Sequence, residues 1–487
     1  MKKYSFILLI LVISSNAAAY TRITTSSGQL PKWSSMPIPY WINDRGSAQI
    51  SNGSEFTAVH ASFQTWQNVP SAGVRFNYLG ATSIRTAGRD GFNVISFADD
   101  ATPLGSSTVA VTFQFFRSDL GQVVYDDADI VFNPALNFST SGETGKFDIQ
   151  AVAIHEIGHF LGLDHAGLIS SAMVPFASLS QLDQRTLEYD DIAGVTDLYP
   201  AASAATAVGV IQGTILAGTT PVFGAHVVAV DSGGTALVST LSQPTGSYTI
   251  NFLPPGVYRV YAEPLDHPVT EAFVGGGSNS FYRNLKTDFG TTYFGGVSTQ
   301  TEAATIEVTA NGTATANIQT LPRNSTGLNL TRPAFGLRVA RGTHETLRIG
   351  GDDVTAGIAV TASNPGLILD TPSFGGRLAS VAPVSVSMDL FVSDSVPLGP
   401  KNIAANRGAA ASIVSGGVVV TEPRPQTDSV APASGPIQGG SLVTISGSNF
   451  RPGAKVFLGG VPLVNVQVVN AGTMLVETPV NSPGPMS

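Results

Sequence analysis

Residues 155–165 read HEIGHFLGLDH: three histidines at offsets of four and six, with a glutamate directly after the first. His155 and His159 are four apart, so on a helix rising about 1.5 Å per residue they share a face, about 6 Å apart along the axis. Two imidazoles in that relation can each reach one cation at about 2.0–2.1 Å. Glu156 projects from an adjacent part of the same rim, where it can approach a water without ligating the metal. A straight helix cannot supply a third ligand without leaving that face. Gly162 tolerates the left-handed conformation that ends a helix and turns the chain, and His165 follows it by three residues. Three histidines with a fourth position open is the arrangement of a catalytic zinc ion rather than a structural one. The competing reading is a helix with polar residues on one face. HExxH alone is a weak signal, but requiring Gly and His at the two further positions cuts chance matches by about 400-fold, with residues taken as equally frequent. The chain has seven histidines, and His60, His226, His267 and His344 are scattered.

The elements that must hold this cluster lie in residues 31–200, where helical and strand patterns mix. PIPYWI (37–42), VRFNY, FNVISF, STVAVTFQFF and ADIVFN read as strands, rich in β-branched and aromatic residues. SEFTAVHASFQTWQNV (54–69) puts Phe56, Val59, Phe63, Trp66 and Val69 at helical spacing, with Ser54 as the expected N-cap. FDIQAVAIHEIGHFLGL (147–163) and DDIAGVTDLY (190–199) are helical as well. One α+β domain is the economical reading.

Composition sets the frame around it. A chain of 487 residues suggests three or four domains at roughly 100–200 residues each. Only 12% of residues are charged while Gly (52) and Pro (30) are plentiful, which favours short strands joined by turns. The formal net charge is −9 and no basic run extends beyond Lys2-Lys3, which argues against a nucleic-acid partner. MKKYSFILLILVISSNAAAY has two lysines, an apolar core and Ala17-Ala18-Ala19, the pattern of a secretory signal peptide over residues 1–19. Its apolar run is about half the roughly 20 residues of a spanning helix, so export is expected, with no membrane span after signal removal. There is no cysteine, which excludes disulfides, thiolate nucleophiles and cysteine zinc ligands.

After Pro200 the texture changes. AASAATA (201–207) reads as a linker, followed by short alternating runs such as HVVAV, GSYTI, VYRVYA, SVSMDLFV, GGVVV, LVTISG and VNVQVV, the pattern of all-β sandwiches in series. Pro-rich stretches near 321–333 and 422–432 read as joints.

The pattern HExxHxxGxxH with a later methionine turn is the signature of the metzincin metallopeptidases, and Ser171-Ala172-Met173-Val174-Pro175 resembles that turn. FDIQAVAIHEIGHFLGLDH, SAMVP, LEYDDIAGVTDLYP and the upstream PKWSSMPIPYWI and AVHASFQTWQNVPSAGVRFNY together resemble the matrixin branch, over about residues 31–200. The resemblance implies a twisted mixed sheet with three main helices, with Met173 as an apolar floor beneath the histidines. It further implies a secreted, extracellular zinc endopeptidase acting on protein or peptide substrates. One zinc ion on His155, His159 and His165 would polarise the scissile carbonyl and acidify a water. Glu156 would take the proton as general base and pass it to the leaving amine. Substrate would lie extended along a sheet edge, for which STVAVTFQFF (107–116) is the candidate beside the alternative of an interior strand.

Several departures from the family stand out. No histidine-bearing loop for a second, structural zinc occurs between 103 and 133. Asp126, Asp127 and Asp129 offer oxygens for Ca2+, or form a solvated acidic strand entry. Pro175 fits the family's Pro-x-Tyr, but Ala177 stands at the tyrosine position. The stretch before Trp33 is expected to be too short for an inhibitory prodomain, so activity is expected on folding. Residues 208–320 resemble a carboxypeptidase-regulatory-like (transthyretin-like) sandwich, through PVFGAHVVAV, GSYTI and LPPGVY. Residues 427–487 resemble an immunoglobulin-like IPT/TIG module, expected to be truncated, and 323–422 suggest another immunoglobulin-like sandwich. The expected architecture is therefore multidomain: an α+β catalytic domain over 20–200 followed by all-β sandwiches, which bind or space and offer a surface to an extracellular-matrix or cell-surface ligand. The competing function is an exported adhesin-like binding protein with an idle metzincin domain. The retained Glu156 favours the enzyme.

Overall fold

A computed structural model describes residues 20–480 except 100, 181, 203, 205–206, 275–280, 324–335, 352–353, 355–357, 371–372, 376–383, 408–409 and 459–460. The signal-peptide segment 1–19 and the final NSPGPMS lie outside the described residues. Among the described residues no helix is long and apolar enough to cross a membrane.

In the N-terminal domain, β1 (Lys32–Trp33), β2 (Ile38–Asn43), β3 (Phe76–Thr82), β4 (Val94–Ser96), β5 (Ala110–Asp119) and β6 (Gln122–Phe132) form one sheet. Strands β3, β2, β4 and β6 are parallel neighbours in that order. Strand β5 runs antiparallel to β6 and among the described residues pairs with no other strand, so it is a sheet edge. Helices α1 (Ser54–Gln67) and α2 (Ile149–Leu161) pack together: Val59, Phe63 and Trp66 meet Ile154, Ile157 and Phe160 over Ile42, Ile95 and Ile130. The Trp66 indole N–H donates to the Ile154 carbonyl at 2.9 Å, and the Ser62 hydroxyl to that of Gln150 at 3.1 Å. Truncating a ring buried like Phe63 or Trp66 typically costs about 3–5 kcal/mol, so the mount of α2 is stiff.

The start of α1 differs from expectation. Its cap position is Gly53 at φ 72°, without a side-chain cap, and Ser54 is the first helical residue. A left-handed backbone there favours glycine, and the Ser54 hydroxyl bonds with that of Thr140 at 2.8 Å instead. Helix α2 is capped conventionally: the Asp148 carboxylate accepts the Ala151 N–H at 2.9 Å and holds the Arg185 guanidinium. Helix α3 (Tyr189–Leu198) opens on a capping box formed by Glu188 and Asp191.

Two all-β domains follow. The first is built on β7 (Gly209–Ala217), β8 (His226–Asp231), β9 (Ala236–Leu241), β10 (Ser247–Leu253) and β11 (Gly256–Glu263), with β7 paired to β10 in one sheet and the order β9–β8–β11 in another. Alternate residues of both sheets, among them Ile211, Ile215, Val227, Ala229, Ile250 and Val260, meet in one core. A short helix, α4 (Glu271–Val274), follows β11. The next domain carries β12 (His344–Gly351) and β13 (Val384–Val392) in one sheet and β14 (Gly399–Arg407) and β15 (Ala410–Thr421) in another.

Residues up to 339 together with 344–420 make one compact unit. Helix α3 meets the second domain through Asp190, which accepts the Ser239 N–H at 2.7 Å, and the chain that leaves His165 forms another part of the joint. Ile169 and Val174 share an apolar cluster with Leu265 and Val274 of the second domain and Met388, Ile403 and Val414 of the third. Leu168 packs with Val228, Tyr261 and Ile413, and the Ile169 N–H donates to the Ser415 carbonyl at 3.0 Å. The domains expected to follow in series beyond a linker are thus packed onto the N-terminal domain beside its histidines.

Residues 340–343 and 421 onward form a second compact unit. Its antiparallel sheet runs β16 (Gln426–Ala431), β17 (Leu442–Ser448), then β19 (Thr473–Glu477) and β18 (Val464–Asn470). Much of the stretch expected to be a joint at 422–432 is therefore strand β16, an edge strand, where flanking prolines are tolerated.

Candidate metal centre

His155 and His159 lie on α2, which ends at Gly162 with φ 108° and ψ 8°. That left-handed residue sends the chain across the helix end, where the Leu163 N–H donates to the Gly158 carbonyl at 3.0 Å. His165 then comes back over the same face. Among the described residues these three histidines are the one group of three or more His, Cys, Asp or Glu side chains whose ligand atoms all lie within 4.8 Å of one another.

Each imidazole makes one hydrogen bond to a main-chain carbonyl through Nδ1: His155 to Ala172 at 2.8 Å, His159 to Leu163 at 2.8 Å and His165 to Phe273 at 2.9 Å. A carbonyl only accepts, so Nδ1 carries the proton and each Nε2 is left as a bare lone pair. The Nε2 atom of His159 stands 3.1 Å from that of His155 and 3.2 Å from that of His165. With all three as acceptors these are not hydrogen bonds but converging lone pairs. Two nitrogens about 2.05 Å from a tetrahedral cation stand about 3.3 Å apart, so the spacing fits a zinc ion. Burial, with the neighbouring imidazoles, lowers His155 to about 3 and holds His159 well below its usual value; burial also lowers His165. All three are neutral at physiological pH, the state that ligates a metal.

Glu156 is buried beside them and burial raises its pKa to about 7, against the lowering effect of the Thr112 hydroxyl. Thr112 donates to the carboxylate at 2.6 Å, and two residues along β5 the Gln114 amide donates to the His159 carbonyl. Side chains two apart on a strand share a face, so the edge strand is laced to the histidine helix at both residues. Met173 is 2% exposed, and a Cβ built on Gly158 would run into its sulfur. The methionine therefore lies against α2 immediately before His159. Asp191 fixes that turn: its carboxylate accepts the Ser171 hydroxyl and the N–H groups of Ala172 at 2.9 Å and Met173 at 3.3 Å. Pro175 is half-buried, Ala177 is exposed, and the Phe176 ring meets that of Phe273 edge-on at 5.0 Å.

The acidic residues on β6 are occupied differently. Asp126 pairs with Arg89 at 2.5 Å. Asp127 accepts the N–H groups of Asp90 and Gly91 at 2.8 and 2.6 Å, and Asp129 those of Gly88 and Val94 at 2.9 and 2.8 Å. One oxygen each on Asp126 and Asp127 is buried without a partner. Burial raises Asp129 to about 7 even though both amides favour its ionised form. His226 is buried and bonded through Nδ1 to Glu263 at 2.8 Å.

Sequence reasoning passed over Thr112, Gln114, Gly158, Asp191 and Phe273. The first two carried a signal in their alternation along STVAVTFQFF, and Asp191 in its place at a helix start. Phe273 carried none, because it acts through its backbone.

Residues 32–200 match the family model described as Matrixin, and residues 425–487 that of the IPT/TIG domain. Matrix metalloproteinase-16 of Homo sapiens is 25% identical over 172 residues, covering 34% of this chain and 27% of that protein. Matrix metalloproteinase-C of Caenorhabditis elegans is 28% identical over 195 residues, covering 38% of this chain and 32% of that protein. The matched part thus amounts to about a quarter to a third of the length of these curated relatives. Among solved structures, the Bacteroides ovatus mixed-linkage glucan utilization locus SGBP-B aligns with 14% identity over 59% of this chain and 61% of that one, at a TM-score of 0.16. The chain carries a matrixin domain followed by β-rich domains.

Proposed function

We propose that the matrixin domain at residues 32–200 is a zinc-dependent endopeptidase. The observation that carries this reading is the convergence of three neutral imidazoles, two from α2 and one from beyond its end, beside the buried carboxylate of Glu156. His155, His159 and His165 would hold the ion, which when bound supplies Lewis-acid polarisation of the scissile carbonyl. Glu156 removes a proton from the attacking water as its oxygen joins the carbonyl carbon. It returns that proton to the leaving nitrogen when the C–N bond breaks. The Thr112 hydroxyl favours the ionised carboxylate against burial and aims it. The free edge of β5 receives the substrate backbone as an added strand, which favours extended peptides over folded ones. Gln114 ties that edge to the helix, so a docked peptide is registered against Glu156. The signal-like N-terminus supports export and extracellular proteins as substrates, and the β-rich domains support attachment to an extracellular ligand.

The test is zinc content together with hydrolysis of an unfolded protein, comparing wild type with Glu156→Gln. Both are expected to bind one zinc, and the variant to lose about 10²–10⁴ in kcat/KM, the usual worth of a general base. Equal cleavage by the two proteins would remove Glu156 from the reaction. Bound zinc with no cleavage of any peptide library would favour the binding-protein reading.

A further inference from the structure

Two of the three imidazoles are oriented from close by: the Ala172 carbonyl lies 17 residues from His155, and that of Leu163 four residues from His159. His165 is different. Its Nδ1–H donates to Phe273, 108 residues away in the second domain. His165 also sits beyond the turn at Gly162, so it lacks the helical frame that fixes the other two.

We propose that α4 of the second domain is a positioning element of the metal centre, holding the third imidazole in its ligating tautomer and angle through the Phe273 carbonyl. The proposal rests on the zinc-site reading above. A helix of four residues cannot hold its own shape, and three contacts hold this one. The Glu271 carboxylate accepts the N–H groups of Asn284 and Leu285 at 2.9 and 2.8 Å, tying the start of α4 to the chain that follows it. The Phe273 ring packs edge-on to Phe176, three residues beyond Met173. Val274 is buried in the cluster that contains Val174. Phe176 and Val174 belong to the chain leaving the site, so α4 is clamped to the wall of the centre it serves. Second-sphere partners of metal-binding histidines typically account for 10–100-fold in metal affinity.

The test uses the full chain, with zinc affinity measured by competition with a chromophoric chelator and the visible absorption of the Co2+-substituted protein recorded. Glu271→Ala is expected to weaken zinc binding about 10-fold or more and to shift the Co2+ bands. Glu271→Gln keeps one acceptor oxygen and is expected to recover part of both. Phe273→Leu retains an apolar side chain in the cluster, and supplies the same two measurements if Glu271→Ala does not fold. Wild-type affinity with unshifted bands in the folded alanine and leucine variants would reduce α4 to packing and overturn the proposal. A wild type that binds no zinc, or a His159→Ala variant that binds as wild type, would instead overturn the zinc-site reading.

Discussion

The histidine cluster at the end of α2 and the acidic cluster on β6 both contain three side chains able to ligate a metal, and they differ in what is left over. In the first, every Nδ1 is satisfied by a carbonyl, and three Nε2 lone pairs face one another with no donor between them. In the second, Asp127 and Asp129 accept three loop N–H groups and that of Val94 at the start of β4, and Asp126 holds Arg89, leaving one buried oxygen on each of Asp126 and Asp127 without a partner. A metal site is marked by ligand atoms that the protein has oriented and then left unpaired. The acidic cluster has most of its oxygens already paired with donors.

The sharpest way to break that contrast is to offer each cluster its cation. Zinc at about 1,000 times its Kd stabilises a folded site by about 4 kcal/mol, so the thermal midpoint should rise clearly with zinc and not at all in His159→Ala. Calcium is expected to leave the midpoint of the zinc-loaded protein unchanged; a rise with calcium that Asp127→Asn abolishes would show that the leftover oxygens recruit an ion.

A second, smaller effect probes a carboxylate of the loop-capping kind that serves the histidines. Asp191 spends its oxygens on the turn holding Met173, and the carbonyl of Ala172 in that turn orients His155. Asp191→Ala should cost about 2–4 kcal/mol in chemical denaturation, since it strands buried donors, and should also weaken zinc. Unchanged zinc affinity at reduced stability would separate the turn from the metal.

The smallest effect concerns pH. Burial raises Glu156 to about 7, while the hydroxyl of Thr112 favours the ionised form. In the proposed reaction Glu156 acts only when ionised, so kcat/KM should fall as pH drops through its pKa. Thr112→Val removes a donor to the carboxylate, raises that pKa, and should move the acid limb of the profile to higher pH. A bound cation lowers both limbs without reversing their order. A limb that stays in place would show that another group controls it.

Much of this centre was legible in the sequence because its information is local. A four-residue spacing places His155 and His159 on one helix face, and Gly162 sits where only a left-handed residue lets the chain return. The fold class was readable for the same reason, since periodicity changes from helical to alternating near residue 200. What could not be read is carried by tertiary contacts and by backbone atoms that every residue shares. Nothing in the letters EAFV says that a carbonyl there faces His165. The apolar pair Leu168-Ile169 in a loop was the one available hint that other domains close over this stretch. At the start of α1, backbone geometry overrode side-chain preference: Ser54 is the better cap by type, but the positive φ required at that point assigned the position to Gly53.

The contact between His165 and Phe273 also sets an order in time. The partner of the third histidine lies 108 residues further along the chain. At the usual synthesis rates of about 5–20 residues per second, roughly 5–20 s pass between the emergence of the two. Throughout that interval the nascent chain contains the whole HEIGHFLGLDH segment but not the carbonyl to which its last imidazole bonds. Complete assembly of the centre is thus a late event in the birth of the protein, scheduled by the domain that follows it.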